Sequence, residues 1–315
     1  MKRLFFIALI LAGLYAGYWF VGSSQVETRA RAALAELEAR GWQVDYASLD
    51  TTGFPSRFDT TVEELTLISP DGRIAWEAPF VQLFALSYRP NRVIAVWPDR
   101  QTVTLSGQVF EIASDRLRAS AAVGLSTDLP LNEATVEGDR IVVESEGGWT
   151  VSARSLLAAI RQAGPAPATY DVYLGSEAIG LPFVGEGLDV LRLDGRVTLD
   201  APLDSRLQAA PRLLGVTLRE VRLASGGAAI SAVGELAPDA QGFLAGTLTL
   251  RAENWRDLLR VLESAGVLVL DQAPFLAGAL EQLAGGEEDI ELPVTFRDGQ
   301  VEALGVVLLP APRVL

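Results

Sequence analysis

Polar and apolar residues follow one period at the start of this chain and a different one afterwards. An apolar run from Leu4 to Val21, preceded by two cations, has about the length of one helix that spans a hydrocarbon core. The next segment, 25–40, keeps its apolar residues at helical spacing and ends at Gly41. Its predicted inward stripe is Val26, Ala30, Ala33 and Leu37. We therefore predict a membrane anchor over 1–24 and a juxtamembrane helix over 25–41 that packs on the sheet that follows.

From Trp42 onward apolar and polar residues alternate with a period of two, and glycine-containing turns interrupt the alternation. Half-buried antiparallel strands produce this pattern, whereas strands covered on both faces read as unbroken apolar runs. The predicted fold is mainly β (α+β), with an N-terminal transmembrane helix, one or more large curved antiparallel sheets of repeated hairpins, and a few capping helices. The predicted halves are 42–164 and 188–315, joined by a Gly- and Pro-rich connection at 165–187.

Three short helices are predicted among the strands. The first covers 155–163, the second begins after a capping Asn254 and ends at Gly266, and the third begins at Pro274. A last hairpin turns at Asp298-Gly299.

The apolar run fits either a retained anchor or a cleaved signal peptide. It is longer than the core of a signal peptide, and bulky aromatic residues stand where a small-residue cleavage site belongs. These aromatic residues, Tyr15, Tyr18, Trp19 and Phe20, are expected at a membrane–water boundary. We favour a retained, single-pass anchor. Lys2 and Arg3 favour a cytoplasmic N-terminus, with the main domain exported to the other side of the membrane.

The residue types that are absent exclude most catalytic chemistry. The chain has no histidine and no cysteine, and Lys2 is its only lysine. Histidine-based triads, thiolate nucleophiles, Schiff-base lysines and phosphate loops with a lysine are therefore excluded. We predict a non-enzymatic protein without cofactor or metal. A hydrolase that uses two carboxylates is the remote alternative, and it requires two inward-pointing acids in a cleft.

A net charge of −14 limits the partners of the chain. Nucleic-acid binding depends on neutralising phosphates with cations, so no nucleic-acid partner is expected. Electrostatic adsorption to anionic lipid is disfavoured as well, so that any lipid contact should be apolar. The expected partners are the membrane that residues 4–21 span and a phospholipid.

Candidate ligand-contacting residues are tryptophans and one amphipathic helix. Arg256 and Arg260 lie four residues apart beside the apolar stripe of the second short helix, a spacing that suits a lipid headgroup above an acyl-binding surface. We favour the ordinary interpretation of these residues, in which the tryptophans fill the core and the helix caps one end of a sheet. The proposed groove-lining set is Trp76, Trp97, Trp149, Trp255, Leu259, Arg256 and Arg260.

Several short elements together resemble a known family. They are the N-terminal anchor, Thr52-Gly53-Phe54-Pro55, Trp76-Glu-Ala-Pro79, Tyr88-Arg-Pro-Asn-Arg92 and the closing segment 296–310. The chain resembles DUF2125, a family of uncharacterised alphaproteobacterial proteins, and is more distantly similar to the AsmA-like periplasmic proteins. The resemblance implies an inner-membrane anchor, an extended β-rich periplasmic domain with an apolar concave face, and a role in handling envelope lipids.

The predicted function is therefore a membrane-anchored periplasmic protein that binds or passes lipid in an apolar groove, in envelope biogenesis or lipid handling. The alternative is a structural or interaction module that binds an envelope protein through a sheet edge or an exposed patch.

Overall fold

The computed structural model describes residues 2–164, 168–182, 184–207, 209–264 and 274–314. Within these ranges the chain forms three helices and eighteen strands, and each pairing whose register is described is antiparallel. The predicted mainly β architecture with an N-terminal apolar helix is confirmed.

The chain divides into two units. The first contains residues 1–125 and 136–149, and the second contains 126–135 and 150–315. The predicted connection at 165–187 is not where the structure divides the chain, because a strand over Thr169–Leu181 occupies most of it and pairs along its length with the next strand.

One helix, α1 (Lys2–Ala39), includes both the predicted anchor and the predicted juxtamembrane helix. Among the described residues it is the one helix long and apolar enough to cross a membrane. Its second half packs against the first unit, as predicted: Ala30 and Leu34 contact a core cluster of Leu49, Val62 and Leu65. Ala33, predicted to face inward, is exposed, and Leu34 takes its place.

Nine strands form or enter the first unit. They are β1 (Gln43–Asp45), β2 (Ser48–Thr52), β3 (Arg57–Ile68), β4 (Ile74–Leu86), β5 (Arg89–Val96), β6 (Arg100–Leu105), β7 (Gln108–Ala113), β8 (Arg116–Val123) and β9 (Leu131–Ser145). The long hairpin of β3 and β4 is central: β1 and β2 pair with β3, and β5 and β6 pair with β4.

The second unit is a ladder in which each strand pairs with the next along the chain. Its strands are β10 (Thr150–Gln162), β11 (Thr169–Leu181), β12 (Val184–Leu199), β13 (Leu213–Ser225), β14 (Ala228–Pro238), β15 (Leu244–Glu253), β16 (Ile290–Arg297), β17 (Gln300–Ala303) and β18 (Val306–Pro310). Since side chains alternate between the two faces of a strand, the registers determine which residues share a face.

The helix predicted over 155–163 is wrong, because residues 155–162 belong to strand β10. Their apolar run, Leu156 to Ile160, fits either a short helix or a covered strand. The run is a strand because β10 pairs with β11, in a register that places Ile160 opposite Val172.

The two later helices begin close to the predicted positions. Helix α2 (Trp255–Ser264) and helix α3 (Pro274–Ala284) pack at one end of the second unit, where Trp255, Leu259 and Ile290 form a buried cluster. The predicted end of α2 at Gly266 lies outside the described residues. After the turn at Asp298-Gly299, the predicted single return strand is two strands, β17 and β18, which pair with each other.

Candidate functional site

The main candidate site is one face of the second unit, which we call the apolar face. In register, Leu174 of β11 lies opposite Leu193 of β12, and Leu193 lies opposite Val221 of β13. The pattern continues across five strands, a width of about 20 Å at the usual strand spacing. The apolar face consists of Leu156, Ile160, Val172, Leu174, Leu191, Leu193, Val216, Leu218, Val221, Leu223, Ile230 and Ala232.

The side chains of the apolar face are only half-buried. All twelve keep an intermediate part of their surface exposed. Farther along the same ladder the apolar side chains become buried: Leu236, Leu248 and Val294 are 8%, 9% and 3% exposed. A contiguous apolar surface that stays partly open in this way marks a binding surface more often than scattered exposed residues do.

The opposite face of the same strands is charged and paired. Arg219 contacts both Asp171 and Asp194, and Arg196 donates two hydrogen bonds to Asp171. These two guanidinium groups lower the pKa of Asp171, and its carboxylate together with that of Asp194 raises the pKa of Arg219. The arrangement neutralises charge within the sheet, and this face lines only a shallow pocket of about 290 Å³.

The predicted tryptophans lie in two different units. Trp76, Trp97 and Trp149 lie in the first unit, and Trp255 lies in the second. Trp76 packs against the buried cluster of Leu49 and its indole N–H donates to Gln101 Oε1 at 2.8 Å.

The other two tryptophans of the first unit also make local contacts. Trp149 contacts the Phe110 ring at 5.5 Å, and the backbone N–H of Trp97 donates to the Leu117 carbonyl oxygen. The contacts of Trp76 and Trp149 are those of side chains that pack the first unit.

Helix α2 also packs inward rather than opening a site. Trp255 and Leu259 are 4% and 9% exposed. Arg256 lies over the Trp255 ring and donates to both carboxylate oxygens of Glu281, and Arg260 pairs with Asp257. Both arginines already have carboxylate partners, and α2 has the geometry of a capping helix.

An acidic cleft in the first unit is a second candidate. Glu111 of β7 lies opposite Glu144 of β9, and Glu77 of β4 lies two strands away in the same row. These residues, with Glu64 and Arg100, line a cleft of about 640 Å³. All four glutamates are exposed. Among the described residues no group of three or more His, Cys, Asp or Glu side chains could hold a metal ion.

Two further surfaces have unusual exposure. Strand β18 pairs with β17, and four of its side chains, Val306 to Leu309, are each at least half exposed. At the other end of the chain, the aromatic residues of α1 contact two loops of the first unit through Ser87 and Phe54.

Sequence reasoning predicted an apolar groove but did not place it on these strands. The alternation in β12 to β14 indicated their apolar side, whereas the contribution of β10 and β11 and the continuity of the face depend on the strand registers. Sequence reasoning missed the acidic cleft, because Glu77, Glu111 and Glu144 are distant in sequence and only the pairing of β4, β6, β7 and β9 aligns them.

The model of the family described as "Uncharacterized protein conserved in bacteria (DUF2125)" matches residues 19–312. No curated protein and no solved structure matches the chain. The similarity to AsmA-like proteins stays a prediction.

Proposed function

The chain belongs to the DUF2125 family of bacterial proteins, and we propose that it is a membrane-anchored protein of the cell envelope that binds lipid acyl chains on its apolar face. The observation that carries the proposal is the contiguous, half-open apolar surface across β10 to β14. A net charge of −14 disfavours headgroup attraction, so apolar contact is the remaining route to lipid.

Anchoring is supported by the length and hydropathy of α1, and its retention is supported by packing. Cleavage near Ser23 would remove Trp19, which is 5% exposed against the first unit. We further propose that α1 crosses the inner membrane with Lys2 and Arg3 on the cytoplasmic side, because short cationic flanks favour that side. The two units are then periplasmic.

We propose no catalytic role for the chain. The side chains available for catalysis are carboxylates, hydroxyls and arginines, and the glutamates of the acidic cleft are exposed to solvent. General-acid carboxylates work in environments that exclude water and keep them protonated. The carboxylate hydrolase therefore stays the remote alternative.

Cross-linking in the cell tests lipid binding. We would place the photoreactive residue p-benzoylphenylalanine at Leu174, on the apolar face, and at Tyr173 as the matched control, since it is the next residue of β11 and points to the charged face. In cells labelled with radioactive phosphate, the expected result is a phosphate-bearing adduct at position 174 and none at 173. Equal labelling at both positions, or none at 174, would reject lipid binding on this face.

A second candidate function, a protein-interaction module, is favoured by strand β18. Its exposed apolar side chains lie on a strand for which the described pairings give β17 as the partner. Exposed apolar edge strands recruit additional strands. The same photoreactive residue at Leu308 should then yield a protein adduct, whereas Gln300 on β17 should not. A protein adduct at 308 without phosphate at 174 would move the assignment to this function.

A further inference from the structure

The aromatic segment of α1, Tyr15 to Phe20, contacts two loops of the first unit, which we call the tip. The tip consists of loop 53–56, between β2 and β3, and turn 87–88, between β4 and β5. Tyr18 Oη donates to the Ser87 carbonyl oxygen at 2.6 Å, and Tyr15 Oη lies 3.0 Å from Ser87 Oγ. Trp19 Nε1 donates to the Arg57 carbonyl oxygen at 2.7 Å.

Aromatic rings and a glycine complete the contact. The Trp19 ring packs at 5.4 Å from Phe54 and 6.0 Å from Phe58, and Phe20 stacks on Phe54 at 5.7 Å. A Cβ on Gly22 would lie 2.7 Å from the Phe58 ring, so the close approach of helix and sheet needs glycine there. The tip therefore packs directly against the aromatic residues of α1.

The length of α1 places this contact relative to the membrane. The apolar residues that precede the contact, Leu4 to Leu14, cover only about 16 Å at 1.5 Å per residue. A hydrocarbon core is about 30 Å thick. If α1 crosses the membrane, the residues from Tyr15 to Val21 complete the span. Because irregular loops exposed to lipid are not found inside the hydrocarbon layer, the loops that these residues contact then lie at its boundary with water.

The outer surfaces at this level are apolar. On the helix, Phe20 and Val21 are 62% and 65% exposed. On the tip, Phe54 and Tyr88 are 53% and 64% exposed, and exposed Arg89 follows Tyr88. Amphipathic aromatic residues are enriched at membrane–water interfaces, and arginine can extend its head to the phosphate level.

We propose that the tip inserts into the interfacial layer of the bilayer, with Phe54 and Tyr88 in contact with lipid. The partner is the surface of the membrane that α1 spans, so the inference rests on the proposed anchoring and not on lipid binding by the apolar face. Strands β3 and β4 then lead away from the membrane, and their turn at Asp71-Gly72 lies about 36 Å along β3 from the tip.

Single labelled cysteines in the full chain test this placement, and the absence of native cysteine makes each label unique. We would attach an environment-sensitive fluorophore to Phe54→Cys and Tyr88→Cys, with Leu9→Cys as the bilayer control and Arg73→Cys as the solvent control. Each protein would be placed in phosphatidylcholine–phosphatidylglycerol vesicles, with or without doxyl-labelled lipid. Because Phe54 packs on Trp19, Tyr88→Cys serves as the variant least able to disturb the fold.

The expected result is loss of most emission at positions 9, 54 and 88 with doxyl lipid, and quenching by aqueous iodide at position 73 alone. If the labels at positions 54 and 88 are quenched by iodide and not by doxyl lipid, while the label at position 9 is quenched by doxyl lipid, α1 lies in the bilayer and the tip proposal is overturned. If doxyl lipid does not quench the label at position 9 either, α1 does not lie in the bilayer, and both the anchoring proposal and the tip proposal fail. Neither outcome affects cross-linking at Leu174, so the two proposals fail separately.

Discussion

Gly234 shows at the scale of one residue how closely β14 and β15 approach. Its φ is +147°, and an added Cβ would lie 2.3 Å from the Thr247 carbonyl oxygen on the paired strand. An L side chain rarely adopts this backbone conformation, and the neighbour that it would meet is backbone, which cannot move aside.

We therefore expect Gly234→Ala to lower the free energy of unfolding by about 3 kcal/mol, from strain and steric overlap together. Gly215→Ala on β13 is the matched control, because the nearest atom to its Cβ would be at 3.9 Å. That change should be neutral or slightly stabilising, since alanine has less freedom in the unfolded chain. Urea titration of both variants in detergent measures the difference, and equal stability of the two would contradict the close approach.

Ser87 makes several contacts at the tip, although nothing in the sequence distinguishes it. Its side chain is fully buried, and its Oγ lies 3.3 Å from the Pro55 carbonyl oxygen and 3.0 Å from Tyr15 Oη. A lone serine after an apolar strand carries no signal of burial. Ser87 is buried because loop 53–56 and the aromatic segment of α1 both pack against turn 87–88.

At the scale of elements, strands β11, β12 and β13 are joined on their charged face by Asp171, Asp194, Arg196 and Arg219. The arginines lower the pKa of Asp171 in the folded state. A lowered folded pKa stabilises the fold at pH values above the unfolded pKa of about 3.9. That contribution is lost as pH falls through the folded pKa.

We expect Asp171→Asn to reduce the free energy of unfolding by about 1 kcal/mol at pH 7, discounted for the solvent exposure of the network. The difference from the unchanged chain should shrink toward zero in strong acid, because Asp171 is then protonated in both states. Urea titrations at pH 7 and at acid pH measure it, with Asp45→Asn, on β1, as a control outside the network. A difference that stays constant with pH would show that the arginines do not stabilise the ionised carboxylate.

Some elements of the fold follow from sequence periodicity alone, and others depend on the strand with which they pair. Alternation from Trp42 onward predicted antiparallel strands, because a half-buried strand has one polar and one apolar side whatever its partner. The five residues Leu156 to Ile160 have no such alternation, so their strand state depended on β11. Helix α2 was predicted from its own 3.6-residue period and its start at Trp255 was correct.

At the scale of the whole molecule, burial differs between parts of the described chain. Two buried apolar clusters lie where helices pack on strands, around Leu49 with α1 and around Trp255 with α2 and α3. Between β10 and β14 the apolar face stays half-open. That difference in cover, more than any single residue, makes this face the candidate site.

The sequence by itself determined the elements whose cause is local. The apolar helix, the antiparallel class of the strands and the absence of histidine and cysteine chemistry follow from composition and period, which act within a few residues. Only the tertiary structure decided the apolar face, the row of Glu77, Glu111 and Glu144, and the contact of α1 with the tip. Each of these depends on register between strands or helices far apart in sequence, and a shift of one residue would move every side chain to the other face.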